Sequence, residues 1–196
     1  MRVDKNFINN EFTQSPTTGS LPVYSPVNET VIAQVPVATA EEALGAVEIA
    51  AKAQKTWRAL TSAERGAYLH KLADALVARK DKIGKALADE SGKSLEDATN
   101  EAFYAAEITR YHAEWARRIE GEIIPSDTPS ENLLLQREPI GVVACLIPFN
   151  YPVYTLLRKV APALITGNAV IVRPSNNTPS SAFEIAQAVL DAGLPA

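Results

Sequence analysis

The chain has 196 residues, a net charge of -4 and 46% apolar residues, enough for one domain with a sizeable core or for part of a larger one. Its 19 Lys and Arg against 23 Asp and Glu form no basic stripe, which argues against a nucleic-acid-binding surface, and no run reaches the roughly 18 apolar residues of a membrane-spanning helix. The single cysteine, Cys145, rules out an internal disulfide and fits a reducing, cytosolic location.

The segment from Met1 to Asn10 lacks the apolar run of a signal peptide. The first 36 residues read as short strands and turns. Phe7-Ile8 and Glu11-Phe12 flank Asn9-Asn10, a tight-hairpin pattern. Val23-Tyr24 and Val31 to Val35 flank a turn-rich break at Ser25 to Glu29. Helices begin at Thr39, where Thr39-Ala40-Glu41-Glu42 spells a capping box: the hydroxyl accepts from an amide three residues on, and Glu42 reaches back. Leu44, Val47 and Ala51 follow at helical spacing up to Trp57. Ser62 reads as a second cap. Leu69, Leu72, Ala73 and Leu76 form an apolar stripe that continues through Ile83 and Leu87 to a stop at Gly92. A third helix is expected from about Leu95 to Arg118.

After Gly121 the character changes. Asp127 to Ser130 reads as a loop, and Asn132 to Arg137 as an exposed strand. Gly141 to Ile147 (GVVACLI) is a continuous apolar run, as in a strand covered on both faces. Val153 to Ile165 reads as a helix and Ala169 to Val172 as a second buried strand. Thr178 is expected to cap a last helix, with Pro179 at its first position and a stop at Gly193. This strand-helix-strand-helix order predicts crossover units on a parallel sheet, whose ligands sit outside the C-terminal strand ends. Pro148-Phe149-Asn150 and Arg173-Pro174-Ser175-Asn176 occupy those positions.

The amide of Asn150 could donate to a developing oxyanion, a contact worth roughly 3 kcal/mol in a transition state. On spacing alone, a turn asparagine bonded to its own backbone is the favoured reading. His70 and His112 have no partner spacing for a metal or a triad, and Cys145 reads as a core residue. Glu101 and Glu107, six apart, do not share a helix face. No metal site is expected.

Pro139 to Pro152 (PIGVVACLIPFNYP), Lys159 to Asn168 (KVAPALITGN) and Arg173 to Pro179 (RPSNNTP) closely resemble the aldehyde dehydrogenase superfamily. The usual runs there are PxGVxxxIxPWNFP, KxxPALxxGN and KPSExTP. Phe7 to Asn9, Ser25 to Val27, the alanine-rich helix ending at Trp57 and Tyr111 to Ala116 (YHAEWA) match as well, in the right order along nearly the whole chain. The segment from Tyr111 to Asn132 is similar to lactaldehyde and glycolaldehyde dehydrogenases in particular.

The resemblance implies an α/β fold: N-terminal hairpins and helices, then the start of a Rossmann-like parallel sheet that is incomplete. It implies a hairpin and helical part over residues 1–120, an oligomerisation-arm strand over 121–139 and the first strand-helix units of a dinucleotide-binding domain over 140–196, with the catalytic domain absent. It implies Asn150 as the oxyanion asparagine and Lys159 as a support of the polar network, the alternative for Lys159 being a solvated helix lysine. Ile147, Pro148 and Phe149 would line the nicotinamide side of NAD or NADP. Arg173, Pro174, Ser175 and Asn176 would meet the adenosine ribose. Phe149 replaces the commoner Trp. Arg173 and Asn176 replace the usual Lys and Glu, and losing that Glu removes a charge that would repel a 2′-phosphate, so either NADP is expected to be tolerated as well as NAD or NAD is expected to bind less tightly. Tyr104, Tyr151, Tyr154 and Arg158 would line the aldehyde tunnel. Arg158 suits a small hydroxy-aldehyde, unless it is a surface arginine.

The nucleophilic cysteine, the water-activating glutamate and the phosphate-contacting helix of that family find no match in these residues. The expectation is therefore an N-terminal fragment of a homo-oligomeric cytoplasmic enzyme, inactive alone. The alternative is a non-catalytic module that acts by self-association or protein binding.

Overall fold

The computed structural model describes residues 2–13 and 19–196. Of the N-terminal stretch read as strands and turns, residues 1 and 14–18 lie outside the described residues. Strand β1 (Arg2–Val3) pairs in parallel with β5 (Val31–Pro36), which pairs antiparallel with β4 (Ser20–Tyr24). The hairpin of β2 (Asn6–Ile8) and β3 (Glu11–Thr13) forms as expected. Its turn needs two residues at positive φ, and Asn9 and Asn10 adopt 54° and 56°. The Asn10 amide donates to Leu194 O at 2.7 Å, tying this hairpin to the far end of the chain.

Three helices form the bulk of the N-terminal half. α1 (Ala40–Ala59) starts at the Thr39 capping box. α2 (Ser62–Ser91) is capped by Thr61, not by Ser62. The Thr61 hydroxyl accepts from Glu64 N at 3.2 Å while Glu64 accepts from Thr61 N at 2.7 Å, so the reciprocal spacing lies one residue upstream of the expected cap. α2 ends on Gly92 at φ 73°, a left-handed position that costs glycine little. α3 (Leu95–Ala113) stops earlier than expected, because residues 114–117 tighten into a 3-10 turn. α2 and α3 pack closely: a Cβ on Gly84 would stand 2.8 Å from Thr99 Cα.

An exposed two-stranded ribbon follows. β6 (Glu122–Pro125) pairs antiparallel with β7 (Asn132–Leu135). β7 ends two residues before the expected Arg137, and β6 carries no signal that the sequence reading caught. β8 (Val142–Leu146) and β9 (Ala169–Arg173) then form a parallel pair, with α4 (Pro152–Ile165) crossing between them and α5 (Ser180–Asp191) after β9. β8 is not covered on both faces: Cys145 is buried, but Ala144 and Leu146 are exposed. The parallel sheet has two strands, and the exposed Ala144 and Leu146 lie on one face of β8.

One core joins these parts. Leu69, Leu72, Leu76, Ile83 and Leu87 of α2 are fully buried with Ala102 and Ala105 of α3 and Val153 and Leu157 of α4. Alanines on α3 let the helical axes approach, and the leucines of α2 fill the space between. Three buried polar side chains fasten the helical layer to the C-terminus of α4, where carbonyls lack helical partners. Gln54 donates to Gly167 O at 3.0 Å and Trp57 Nε1 to Leu164 O at 2.8 Å. Arg65 donates to Ile165 O at 3.0 Å and to Leu60 O at 2.5 Å, and burial pushes its pKa down.

Candidate active site and cofactor crevice

The register of β8 on β9 decides where the two candidate segments lie. Leu146 pairs with Arg173, and Ile147 N donates to Arg173 O at 3.0 Å. Both strands therefore end at the same level, and the turns after them emerge side by side at one sheet edge. One turn carries Pro148, Phe149, Asn150 and Tyr151; the other carries Arg173 to Asn176. Ile147 is buried beneath, while Pro148, Phe149 and Asn150 are exposed. The Asn150 amide makes no hydrogen bond to the described residues, so it is not the self-bonded turn asparagine that the spacing allowed.

On the second turn the Arg173 guanidinium donates to Asn176 Oδ1 at 3.1 Å, and both side chains are exposed. Ser175 Oγ accepts from Asn177 N at 3.2 Å. Guanidinium, carboxamide and hydroxyl together offer donors and acceptors suited to sugar and phosphate oxygens. An apolar cavity of about 740 Å³ runs from this loop between α1, β9 and α5, with Trp57, Val160, Ile171 and Phe183 in its wall.

Lys159 lies on α4 and its Nζ donates to Leu146 O at 2.8 Å, across the mouth of β8. Burial pushes the neighbouring Cys145 thiol upward in pKa, with the Lys159 charge opposing, so Cys145 stays an unreactive core thiol. Tyr154 and Arg158 lie four apart on α4 and share a face; Tyr154 is half-buried and Arg158 exposed. Tyr104 is exposed on α3 with its ring 5.8 Å from that of Phe103. No cluster of metal-ligating side chains occurs among the described residues.

Two buried glutamates complete the edge, and the sequence reading missed both functions. α4 begins at Tyr151, which supplies no side-chain cap. Glu101 of α3 takes that role, accepting from Val153 N at 2.9 Å and Tyr154 N at 3.1 Å while Lys93 pairs with its other oxygen. α5 likewise lacks a side-chain cap of its own. Thr178 does not cap it: its hydroxyl is buried without a partner among the described residues, and Pro179 is the N-cap. Glu90 of α2 caps α5 instead, accepting from Ser180 N at 2.6 Å, Ser181 N at 3.0 Å and Ser181 Oγ at 2.5 Å. A signal was present, since each glutamate sits at an apolar-stripe position: Glu90 after Ile83 and Leu87, Glu101 beside Ala98, Ala102 and Ala105.

The profile of the aldehyde dehydrogenase family matches residues 12–196. The chain belongs to this family. Lactaldehyde dehydrogenase of Escherichia coli (strain K12) is 39% identical over 189 residues, 96% of this chain and 40% of that protein. NADP-dependent glyceraldehyde-3-phosphate dehydrogenase of Streptococcus equinus is 39% identical over 197 residues, 98% of this chain and 41% of its own length. The crystal structure of the Escherichia coli lactaldehyde dehydrogenase superposes with a TM-score of 0.96 at 38% identity, covering all of this chain and 41% of that one. The chain thus spans about 40% of the relatives' length, at their N-terminal end. Among aldehyde dehydrogenases, the fold seen here is a piece of the Rossmann-like architecture. No described helix is long and apolar enough to cross a membrane.

Proposed function

We propose that this chain is the cofactor-side portion of an NAD(P)-dependent aldehyde dehydrogenase that oxidises a small hydroxy-aldehyde to a carboxylate. One observation carries the reading: the parallel register sets Asn150 and the Arg173 to Asn176 loop side by side at the strand ends. A bound nicotinamide dinucleotide would supply the hydride acceptor. The chain's own residues bind and orient. Asn150, exposed and unbonded, donates its amide to the carbonyl oxygen as negative charge develops there. Ile147, Pro148 and Phe149 form the wall on the nicotinamide side. Lys159, fixed to Leu146 O, places a positive charge beside that wall. Pro174, Ser175 and Asn176 meet the adenosine ribose, with Arg173 at their edge.

Tyr104, Tyr151, Tyr154 and Arg158 form the approach to Asn150 in this reading. The exposed guanidinium of Arg158 favours a substrate with a hydroxyl near the aldehyde, which agrees with the likeness to lactaldehyde dehydrogenase. Arg173 with Asn176 presents no carboxylate to a 2′-phosphate, so NADP is accepted beside NAD. An NAD preference above about a thousandfold, roughly 4 kcal/mol, would contradict that.

The proposed division is residues 1–120 as the hairpin and helical part, 121–139 as an oligomerisation arm and 140–196 as the opening of the dinucleotide-binding domain. Ile123 and Leu134 on the arm are 77% and 69% exposed, which supports burial against a second subunit. The proposed location is the cytosol, where the lone thiol stays reduced. The nucleophile and the hydrolytic base lie outside these residues in this reading, so the 196-residue chain alone gives no aldehyde-dependent NADH or NADPH.

The test is steady-state turnover of the full-length enzyme with lactaldehyde and propanal. Asn150→Ala should lower kcat about 10²- to 10³-fold, and Arg158→Ala should raise KM for lactaldehyde more than for propanal. Unchanged kcat in Asn150→Ala, or turnover by the 196-residue chain, would overturn the reading.

A further inference from the structure

We infer that Glu101, paired with Lys93, is the positioning residue of the Asn150 turn; the inference rests on the function proposed above. The turn between β8 and α4 is poorly held by its own residues. Tyr151 sits at φ 49° and ψ 49°, a left-handed conformation that a tyrosine rarely adopts, and its side chain caps nothing. Asn150 immediately precedes it and is exposed. Local sequence therefore leaves the amide free to swing.

Glu101 supplies the missing constraint from 52 residues away. It is 4% exposed on α3, between Ala98, Ala102 and Ala105, all fully buried. One carboxylate oxygen receives both Val153 N and Tyr154 N. These are among the amides that a helix start leaves unpaired, and a charged acceptor holds them more firmly than a neutral one. The other oxygen pairs with Lys93, so the buried charge is compensated. The same ammonium stands 3.9 Å from the centroid of the Tyr151 ring, a cation–π distance. Lys93 thus holds the carboxylate and the left-handed tyrosine at once.

The helix that carries Glu101 is itself fixed, because Gly84 lets Thr99 approach α2 at van der Waals distance. Position therefore passes from the rigid α2–α3 pair to Glu101, to the first turn of α4, to Tyr151 and so to Asn150. Catalysis by an oxyanion donor depends on placement to within about an ångström. The hydrogen bonds of Glu101 go to Lys93, Val153 and Tyr154 and none to the Arg173 to Asn176 loop, so its removal spares the ribose contacts.

Two measurements test this. In the 196-residue chain, amide exchange at Val153 and Tyr154 should quicken at least about tenfold in Glu101→Ala and less in Glu101→Gln, while Leu76 and Ala105 keep their protection. Should Glu101→Ala fail to fold, Glu101→Gln and Lys93→Met carry the comparison. In the full-length enzyme, Glu101→Gln should lower kcat about tenfold while KM for the cofactor changes by less than about twofold to threefold, and should cost nothing further in kcat in an Asn150→Ala background. Equal loss in both backgrounds would mark a merely structural role and refute the inference. Unaltered exchange at Val153 and Tyr154 would refute it too, even if the full-length protein oxidised no aldehyde, an outcome that would sink only the proposed function.

Discussion

Replacing Glu90 by glutamine should flatten a pH dependence that this carboxyl builds into the fold. Glu90 is 3% exposed, and burial pushes its pKa from 4.5 up to about 7. Hydrogen bonds from Ser181 and Ser180 pull the other way, and the nearby Asp4 charge adds to the upward shift. The folded state therefore binds a proton more tightly than the unfolded chain. The resulting stabilisation is complete below pH 4.5 and is lost as pH rises through about 7. At about 1.4 kcal/mol per unit, the difference comes to about 3 kcal/mol. For a chain of this size that is roughly 10 °C in Tm. The assay is urea unfolding of the wild type and Glu90→Gln between pH 4.5 and 8. The substituted carboxamide loses an acceptor toward Ser180 N or Ser181 N, which adds an offset but no slope, and the remaining titrating groups are common to both proteins. The stability of the wild type relative to the variant should therefore fall by about 3 kcal/mol across that range. A difference that stays level would show that the three donors around Glu90 outweigh its burial.

Two further substitutions probe the packing that holds the crevice. Gly84→Ala puts a methyl against the Thr99 backbone, 2.8 Å from Cα and 2.9 Å from N; it should destabilise by about 1–3 kcal/mol in urea unfolding, and a neutral result would mean that α3 slides freely on α2. Trp57→Phe keeps most of the apolar bulk but removes the donor to Leu164 O; a loss of about 1–3 kcal/mol is expected, and none would show that solvent replaces that bond.

What the sequence revealed and what it hid divide along the range of the interactions. The Thr39 capping box, the Gly92 stop and the Asn9-Asn10 turn were legible because each is settled within four residues. The apolar runs of β8 and β9 and the intervening helix sufficed to place Asn150 and Arg173 at neighbouring strand ends. β6 escaped because its four residues are all exposed and end on a proline, so neither burial nor a sustained apolar run marks Glu122 to Pro125, whereas Leu133 to Leu135 gives the equally exposed β7 away. The cap of α5 was misread for a different reason. Thr178-Pro179 has the local form of a helix start, yet the free amides belong to Ser180 and Ser181, and their acceptor lies 90 residues upstream. Glu101 shares no face with Glu107 on its own helix, and its partners are instead Lys93 and the start of α4. Periodicity finds the face of a helix, but it does not say which distant helix end a carboxylate on that face will meet.

The two glutamates also bear on how a dinucleotide would lie. A helix N-terminus carries roughly half a positive charge and commonly receives phosphate. Both helix starts beside this crevice are already filled by carboxylates, Glu101 at α4 and Glu90 at α5. An arriving diphosphate would meet acceptors that already hold the free amides. Two exposed cations at this edge have fixed geometry, Lys159 on Leu146 O and Arg173 held by Asn176, and of these Arg173 opens the loop after β9. Inorganic pyrophosphate titrated into the chain should therefore perturb the Arg173 guanidinium resonances and leave the amides of Val153, Tyr154, Ser180 and Ser181 in place. Shifts at those four amides without one at Arg173 would mean that an outside anion displaces the carboxylates, and that the helix ends, not the loop side chains, are where this edge meets phosphate.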